Sequence, residues 1–373
     1  MINNETASEN INLQNDRLGA EEMQDFEFEP RENCPLCGAA EPRKQFALDR
    51  FSVVRCSLCN FLYVSNVLGE IAIQNLYKEG YDNQRHIHGQ RVNASVNINV
   101  LGNLIPDIRN KSILDVGSGY GFLLQSASHR YGMRVAGVEL SLAERKYAQE
   151  KLGVATYKDI FEIPKNERFD VVTAFEVIEH VRDPVSFVNT LIDHLNIGGY
   201  LIIATDNFES EVVKRLGTGF PKWIPHEHIC YFSPNSLNLL LNKFTNLRII
   251  GSCSFTPWEL QLRSILGRIS YGRLGHSSYQ FGGFASELPD KGYRWFHARL
   301  ALNSLFSRLT MEDNLNGEMM FVCAMKIEEQ RWLALDAQQR QNMAQQARAT
   351  FAQRFTVEAM ASSLLATLKR FSI

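Results

Sequence analysis

The sequence predicts an α/β fold. A mainly parallel sheet flanked by helices follows a small cysteine-bearing module and precedes a helical tail. Three observations predict it. From about residue 100, short apolar runs alternate with longer stretches at helical spacing, which implies crossover connections and a parallel sheet. The first of those runs leads into a glycine-rich turn, Asp115-Val-Gly117-Ser-Gly119-Tyr-Gly121. Upstream, four of the seven cysteines fall in one short window as two C-x-x-C pairs.

Composition sets the outer limits. The chain has 373 residues, a formal net charge of −2, 21% charged and 45% hydrophobic residues, which is ordinary globular usage. At roughly 100–200 residues per domain, two or three units are expected. A chain this long buries a large core without disulfide staples. No apolar run approaches the ~20 residues of a membrane-spanning helix. The balanced charge argues against a dedicated nucleic-acid binder.

Residues 1–30 carry eight acids against one base, Arg17. Such a segment reads as a solvated, disordered tail. It lacks the basic start and apolar stretch of a secretory signal, so a cytoplasmic setting is expected.

Residues 31–62 read as a zinc-binding module. Cys34-Pro-Leu-Cys37 and Cys56-Ser-Leu-Cys59 are separated by eighteen residues. Each pair turns two thiolates toward one point, and four thiolates close a tetrahedral Zn²⁺ site. The competing reading is two disulfides or idle thiols, which a reducing compartment disfavours. A closed site leaves no position for substrate, so the zinc is read as structural. The module holds five bases and three acids, a weak surplus behind a strongly acidic tail. A scaffold or substrate-docking role is therefore preferred to nucleic-acid binding. Residues 63–99 are read as a helical linker.

The α/β unit comes next. Ile113–Val116, Val135–Val138, Asp170–Phe175 and Tyr200–Ala204 read as strands, with another near Ala155–Lys158. Leu142–Leu152 and Pro184–Leu195 have helical spacing. Ligands of such sheets bind beyond the carboxyl ends of the strands, at the switch point. The glycines of the first turn let a ligand approach backbone N–H groups. Their spacing is not that of the usual dinucleotide fingerprint. Asp115 at the strand end would repel a pyrophosphate, and suits a ligand with an ammonium group. Glu139, ending the second strand, is placed to accept hydrogen bonds from a ribose diol.

Together these residues resemble the class I S-adenosylmethionine-dependent methyltransferases over residues 100–327. The resemblance implies a Rossmann-like, seven-stranded sheet closed by a hairpin, with a helical insertion at 256–315. It implies that Asp115, Gly117, Gly119 and Gly121 hold the methionine part of the cofactor. Glu139 would take the ribose, and Asp159 and Ile160 the adenine, with Phe175 closing the fourth strand at the cofactor site. A fold that binds a nucleotide without methyl transfer is the alternative at this point.

Two polar clusters follow. Glu176-Val-Ile-Glu179-His180 places three side chains at i, i+3 and i+4, on one helical face. His226-Glu227-His228 lies in a run with Trp223 and Pro225. In one reading His228 or His226 is a general base oriented by Glu227. In a second, Glu176, Glu179, His180 and a loop histidine bind a divalent metal. A similar E-x-x-E-H run coordinates metal in ubiquinone O-methyltransferases and small-RNA 2′-O-methyltransferases. In a third, Glu179 and His180 only brace the fold.

The order of zinc module, methyltransferase and P-H-E-H-x-x-Y-F-S also looks like bacterial methyltransferases of sugar and cell-envelope pathways. It resembles the deoxysugar C-methyltransferases too, which puts Glu227 and His228 near the chemistry. Pro225 stands where that family has tyrosine, so O-methylation is preferred. The expected acceptor is a small molecule or glycan. The rivals are C-methylation of a keto-deoxysugar, an RNA methyltransferase using the zinc ribbon, and a non-catalytic docking module.

Leu247–Ser254 and Glu318–Met325 read as the last two strands. Between them Trp295, Ala298, Leu302, Leu305 and Leu309 form an apolar stripe, with Lys291, Arg294, Arg299 and Arg308 as the charges. Such a helix can contact a membrane surface over 291–310. Packing of the stripe on the sheet is preferred. Residues 328–373 have high helix propensity and read as a helical tail.

Overall fold

The computed structural model describes residues 27–69, 72, 84–262, 296–328, 338, 341 and 345. Its first strands are short, because the cysteine knuckles interrupt them. β1 (Phe28–Pro30) pairs antiparallel with β5 (Asn66–Leu68). β2 (Arg43–Leu48), β3 (Phe51–Arg55) and β4 (Leu62–Val64) form an antiparallel meander. Its fourth strand comes from far along the chain. β11 (Cys230–Tyr231) pairs with β4, setting Cys230 opposite Tyr63 and Tyr231 opposite Leu62.

The segment read as a linker supplies β5 and most of α1 (Gln84–Leu104), which crosses residue 100 without a break. Val96, Val100, Leu101 and Leu104 of α1 are buried.

The main sheet has seven strands: β6 (Ser112–Val116), β7 (Arg134–Val138), β8 (Thr156–Tyr157), β9 (Phe169–Phe175), β10 (Leu195–Asp206), β12 (Leu247–Phe255) and β13 (Met319–Lys326). Their order is β12-β13-β10-β9-β6-β7-β8, with β13 antiparallel to both neighbours. Successive residues face opposite layers. Leu114, Val172, Ala174, Leu201, Ile203, Met320 and Val322 face one core, which is continuous with the cysteine module. Ile113, Val171, Ile202, Ala204, Phe321 and Cys323 face the other, under α1.

The helices stop and start where their ends are capped. α2 (Phe122–Tyr131) follows the glycine turn. α3 (Leu142–Leu152) runs from the Ser141 cap to a left-handed Gly153. α4 (Pro184–Asp193) starts at Asp183, whose carboxylate accepts the N–H groups of Val185 and Ser186. α5 (Glu211–Leu216) and α6 (Pro234–Leu241) begin at Ser210 and Ser233.

α7 (Phe296–Thr310) departs from expectation. Asn303 and Ser307 are its buried residues, while Leu302 and Leu309 are exposed. It packs on α1 through polar contacts, among them Asn99 donating to Ser304 at 3.3 Å. The leucine stripe therefore does not pack on the sheet. Lys291, Arg294 and Trp295 lie outside the described residues, as do most of the 1–30 segment and nearly all of the 328–373 tail. Among the described residues, no helix is long and apolar enough to cross a membrane.

Candidate active site

β7 lies on one side of β6 and β9 on the other, so the crevice beyond β6 is the switch point. Asp115 sits there, and Thr173 on β9 donates to its carboxylate at 2.6 Å. Burial pushes the Asp115 carboxyl up to about 7 against that hydrogen bond. The turn that follows is left-handed at Gly117, Gly119 and Gly121. A Cβ on Gly117 would lie 2.3 Å from Cγ2 of Val177, so no side chain fits.

Glu139 ends β7 and accepts from the backbone N–H of Gly119 at 2.9 Å and of Ser141 at 2.7 Å. Burial, with Glu144 nearby, pushes its carboxyl up to about 7. Asp159 caps a 3₁₀ turn, Ile160–Glu162, and accepts from the Phe161 N–H.

A cavity of about 770 Å³ joins these groups. Gly117, Glu139, Asp159 and Ile160 line it together with His180, Glu227 and His228. A smaller cavity of about 240 Å³ adjoins it, lined by Asp115, Gly117 and Phe175. His226 lines neither; it pairs with Glu227 at 3.3 Å. Gly119 and Gly121 shape the turn without facing either space.

α1 roofs both cavities. The Tyr120 N–H donates to the Gln90 side chain at 2.9 Å, and Gln90 donates to Glu144 at 2.8 Å. Asn93 donates to Glu176 at 3.0 Å. These residues were missed from the sequence, although His86, Gln90, Asn93 and Asn97 recur at helical spacings of four and three.

Glu176, Glu179 and His180 do not share a helical face. The backbone is left-handed at Glu176, with φ 55°, and only Ile178–His180 form a 3₁₀ turn. Glu176 therefore pairs with Lys222 at 2.9 Å, whereas Glu179 is fully buried and accepts from Thr205. Lys222 also contacts Asp206 and Glu318. Burial alone would lower its ammonium, but Asp206, Glu176 and Glu318 hold it well above the usual lysine range. Burial raises Asp206, Glu318 and Glu179. It also lowers His228, aided by His180 and Lys222. The His180 and His228 rings lie 4.7 Å apart, edge to face. One ligand atom each from Glu179, His180 and His228 lie within 4.8 Å of one another.

The cysteine module abuts the segments that carry His180 and His228. Its four Sγ atoms lie within 4.8 Å of one another, with Cys34–Cys59 at 3.6 Å and Cys37–Cys56 at 3.5 Å. A tetrahedral site with metal–sulfur bonds of ~2.3 Å has edges of about 3.8 Å, so the donor set fits zinc. The same distances exceed the ~2.05 Å of a disulfide. Phe46 packs on Trp223 and Phe61 on Phe232 across the seam, each pair adding roughly 0.5–1.5 kcal/mol beyond burial.

The family model described as "Methyltransferase domain" matches residues 88–250. Its range contains β6 to β10 and both cavities' glycine turn. Over those residues, less than half of its length, the chain is similar to methyltransferase domains. The chain is 32% identical over 143 residues to the ubiquinone biosynthesis O-methyltransferase of Rhodopseudomonas palustris strain TIE-1, covering 35% of this chain and 56% of that protein. The protein of the same description from Shewanella sp. strain ANA-3 is 29% identical over 159 residues, covering 39% and 67%. The chain thus spans just over half the length of the first of these relatives. The phosphoethanolamine N-methyltransferase 2 of Haemonchus contortus, solved with S-adenosylmethionine, overlaps 62% of this chain and 52% of its own at 19% identity and a TM-score of 0.40. The strand order of the sheet, rather than that overlap, carries the fold assignment.

The methyltransferase domain's two buried acids predict a pH dependence. An ionised carboxylate attracts an ammonium group and accepts hydroxyl hydrogen bonds more strongly than a protonated carboxyl, so that dependence holds if the two acids meet the cofactor. With both carboxyls raised to about 7, cofactor affinity should fall as pH drops below 7. The limit is roughly tenfold per pH unit for each group. Calorimetric titration between pH 5.5 and 7.5 checks this; a flat profile would separate both carboxyls from the cofactor.

Proposed function

We propose that the chain methylates a hydroxyl of an uncharged sugar or glycan, using S-adenosylmethionine, with His228 as general base and a structural zinc on Cys34, Cys37, Cys56 and Cys59. One observation carries the reading: Glu227 and His228 line the same cavity as Gly117, Glu139 and Asp159. When bound, the cofactor supplies an electrophilic methyl group. Asp115 and the glycine turn would hold its methionine part, Glu139 its ribose, and Asp159 with Ile160 its adenine. His228 takes the proton of the acceptor hydroxyl, and Glu227 with His226 fixes the adjoining wall.

The acceptor end favours a neutral molecule. Glu227 and the Lys222-paired Glu176 line it, and Arg182, the arginine among its described lining residues, is already bound to Glu29. A nucleotide-sugar would bring two phosphates to those carboxylates. O-methylation, for which the ubiquinone biosynthesis relatives are named, is of the same reaction class.

A specific observation favours a second reading. Glu179 Oε1, His180 Nδ1 and His228 Nδ1 are buried without a hydrogen-bond partner, and these residues converge. They would suit a divalent metal that activates the hydroxyl directly.

The test is calorimetric titration with S-adenosylmethionine, with metal content measured on the same sample. Labelled-methyl transfer is then assayed to neutral glycosides, nucleotide-sugars and catechols. The reading expects micromolar binding, one zinc per chain and transfer to the neutral glycosides. A second metal ion per chain would move the role of His228 from base to ligand. Folded protein that binds no cofactor would overturn the enzyme reading.

A further inference from the structure

The two segments facing the acceptor, 176–182 and 226–231, come from different parts of the methyltransferase domain. One side chain from outside the domain joins them. The Arg31 guanidinium donates to the carbonyl of Ile229 at 3.1 Å and to the carbonyl of Arg182 at 2.7 Å. It lies over the Tyr63 ring, 5.5 Å from its centre. Its own backbone N–H donates to the Ser65 carbonyl, between β4 and β5.

The Ile229 peptide is held on three sides. Its N–H donates to the Glu179 carbonyl at 2.9 Å, and its carbonyl accepts from Val64 as well as from Arg31. Ile229 adjoins His228, and Arg182 lies two residues beyond His180. A rigid planar fork spans two carbonyls at once, which a lysine ammonium on a flexible stem does not reproduce.

We propose that Arg31 is a positioning residue: it fixes the spacing between the His180 and His228 segments and thereby makes the cysteine module part of the acceptor site. This rests on the reading of that end of the cavity given above. Arg31 touches neither acceptor nor cofactor, so it acts through His228 and Glu227.

The experiment compares full-length Arg31→Ala and Arg31→Lys with the parent. Hydrogen exchange is followed in peptides covering 176–183 and 226–232, alongside metal content, cofactor titration and methyl transfer. Both segments should exchange faster in Arg31→Ala and to an intermediate extent in Arg31→Lys. Zinc content and cofactor affinity should stay at parent values. Turnover should drop by up to about a hundredfold, the cost of a ~1 Å misplacement, with acceptor KM changing less. Added guanidinium ion should restore part of the turnover in Arg31→Ala alone.

Parent-like exchange in both segments of Arg31→Ala would overturn the proposal. So would loss of zinc or of cofactor affinity, which would make Arg31 a general prop of the fold. The exchange measurement needs no acceptor. If exchange responds but nothing is methylated, the strut stands and the reaction assignment falls.

Discussion

Replacing His228 with alanine is expected to lower methyl transfer by about 10²–10⁴-fold, the span typical for loss of a general base. Cofactor affinity should stay at the parent value. The groups proposed to hold the cofactor are on β6, β7 and the turn after β8, whereas His228 comes from the separate segment that leads into β11. The ring is buried beside His180 and Asp206, so alanine also opens a hole there. A His228→Asn variant keeps more of that volume and separates packing from chemistry. Both variants should lose turnover alike if proton transfer is the lost function. Metal analysis decides between the two readings of this residue: a base leaves metal content unchanged, and a ligand takes one divalent ion with it. Parent-level turnover in both variants would end the assignment.

The second large effect concerns the zinc. Structural zinc binds zinc-finger peptides with an apparent ~10–16 kcal/mol, at or above the ~5–15 kcal/mol that holds a whole domain folded. Stripping the metal with a chelator, or replacing Cys56 with serine, should therefore unfold the cysteine module. The damage should not stop there, because β11 is a strand of that module's sheet. Residues 226–232 should lose protection with it, and methyl transfer should disappear while cofactor binding survives. A chelated sample with unchanged Tm and full turnover would show that the four thiols hold the fold without metal.

Much of the fold was legible because local and global signals agree. α3 falls on its expected residues, since Ser141 and Gly153 mark both ends. The central strands β6 and β9 were readable because each is a short apolar run buried on nearly every residue. Elsewhere the signal was non-local. β11 is two residues long and pairs with a strand in another module, so no window of sequence contains it. Lys222 sits beside the singled-out Trp223, yet its partners Glu176, Asp206 and Glu318 come from three other segments. The E-x-x-E-H spacing implied a shared face because helical geometry was assumed; a left-handed Glu176 breaks it. The apolar stripe of α7 misled for a related reason: polar contacts with α1 fix that helix instead.

The pairing of β4 with β11 also has a consequence for how the chain is made. Leu62–Val64 leaves the ribosome long before Cys230–Tyr231 exists. At about 5–20 residues per second, roughly ten to thirty seconds separate the two. During that interval β4 presents an open edge next to buried-type residues such as Phe61 and Tyr63, the kind of edge that recruits foreign strands. Early metal capture by the two knuckles would hold that edge in a compact unit while synthesis continues. Zinc-starved cells should therefore accumulate aggregated nascent protein, even where the finished enzyme keeps its metal.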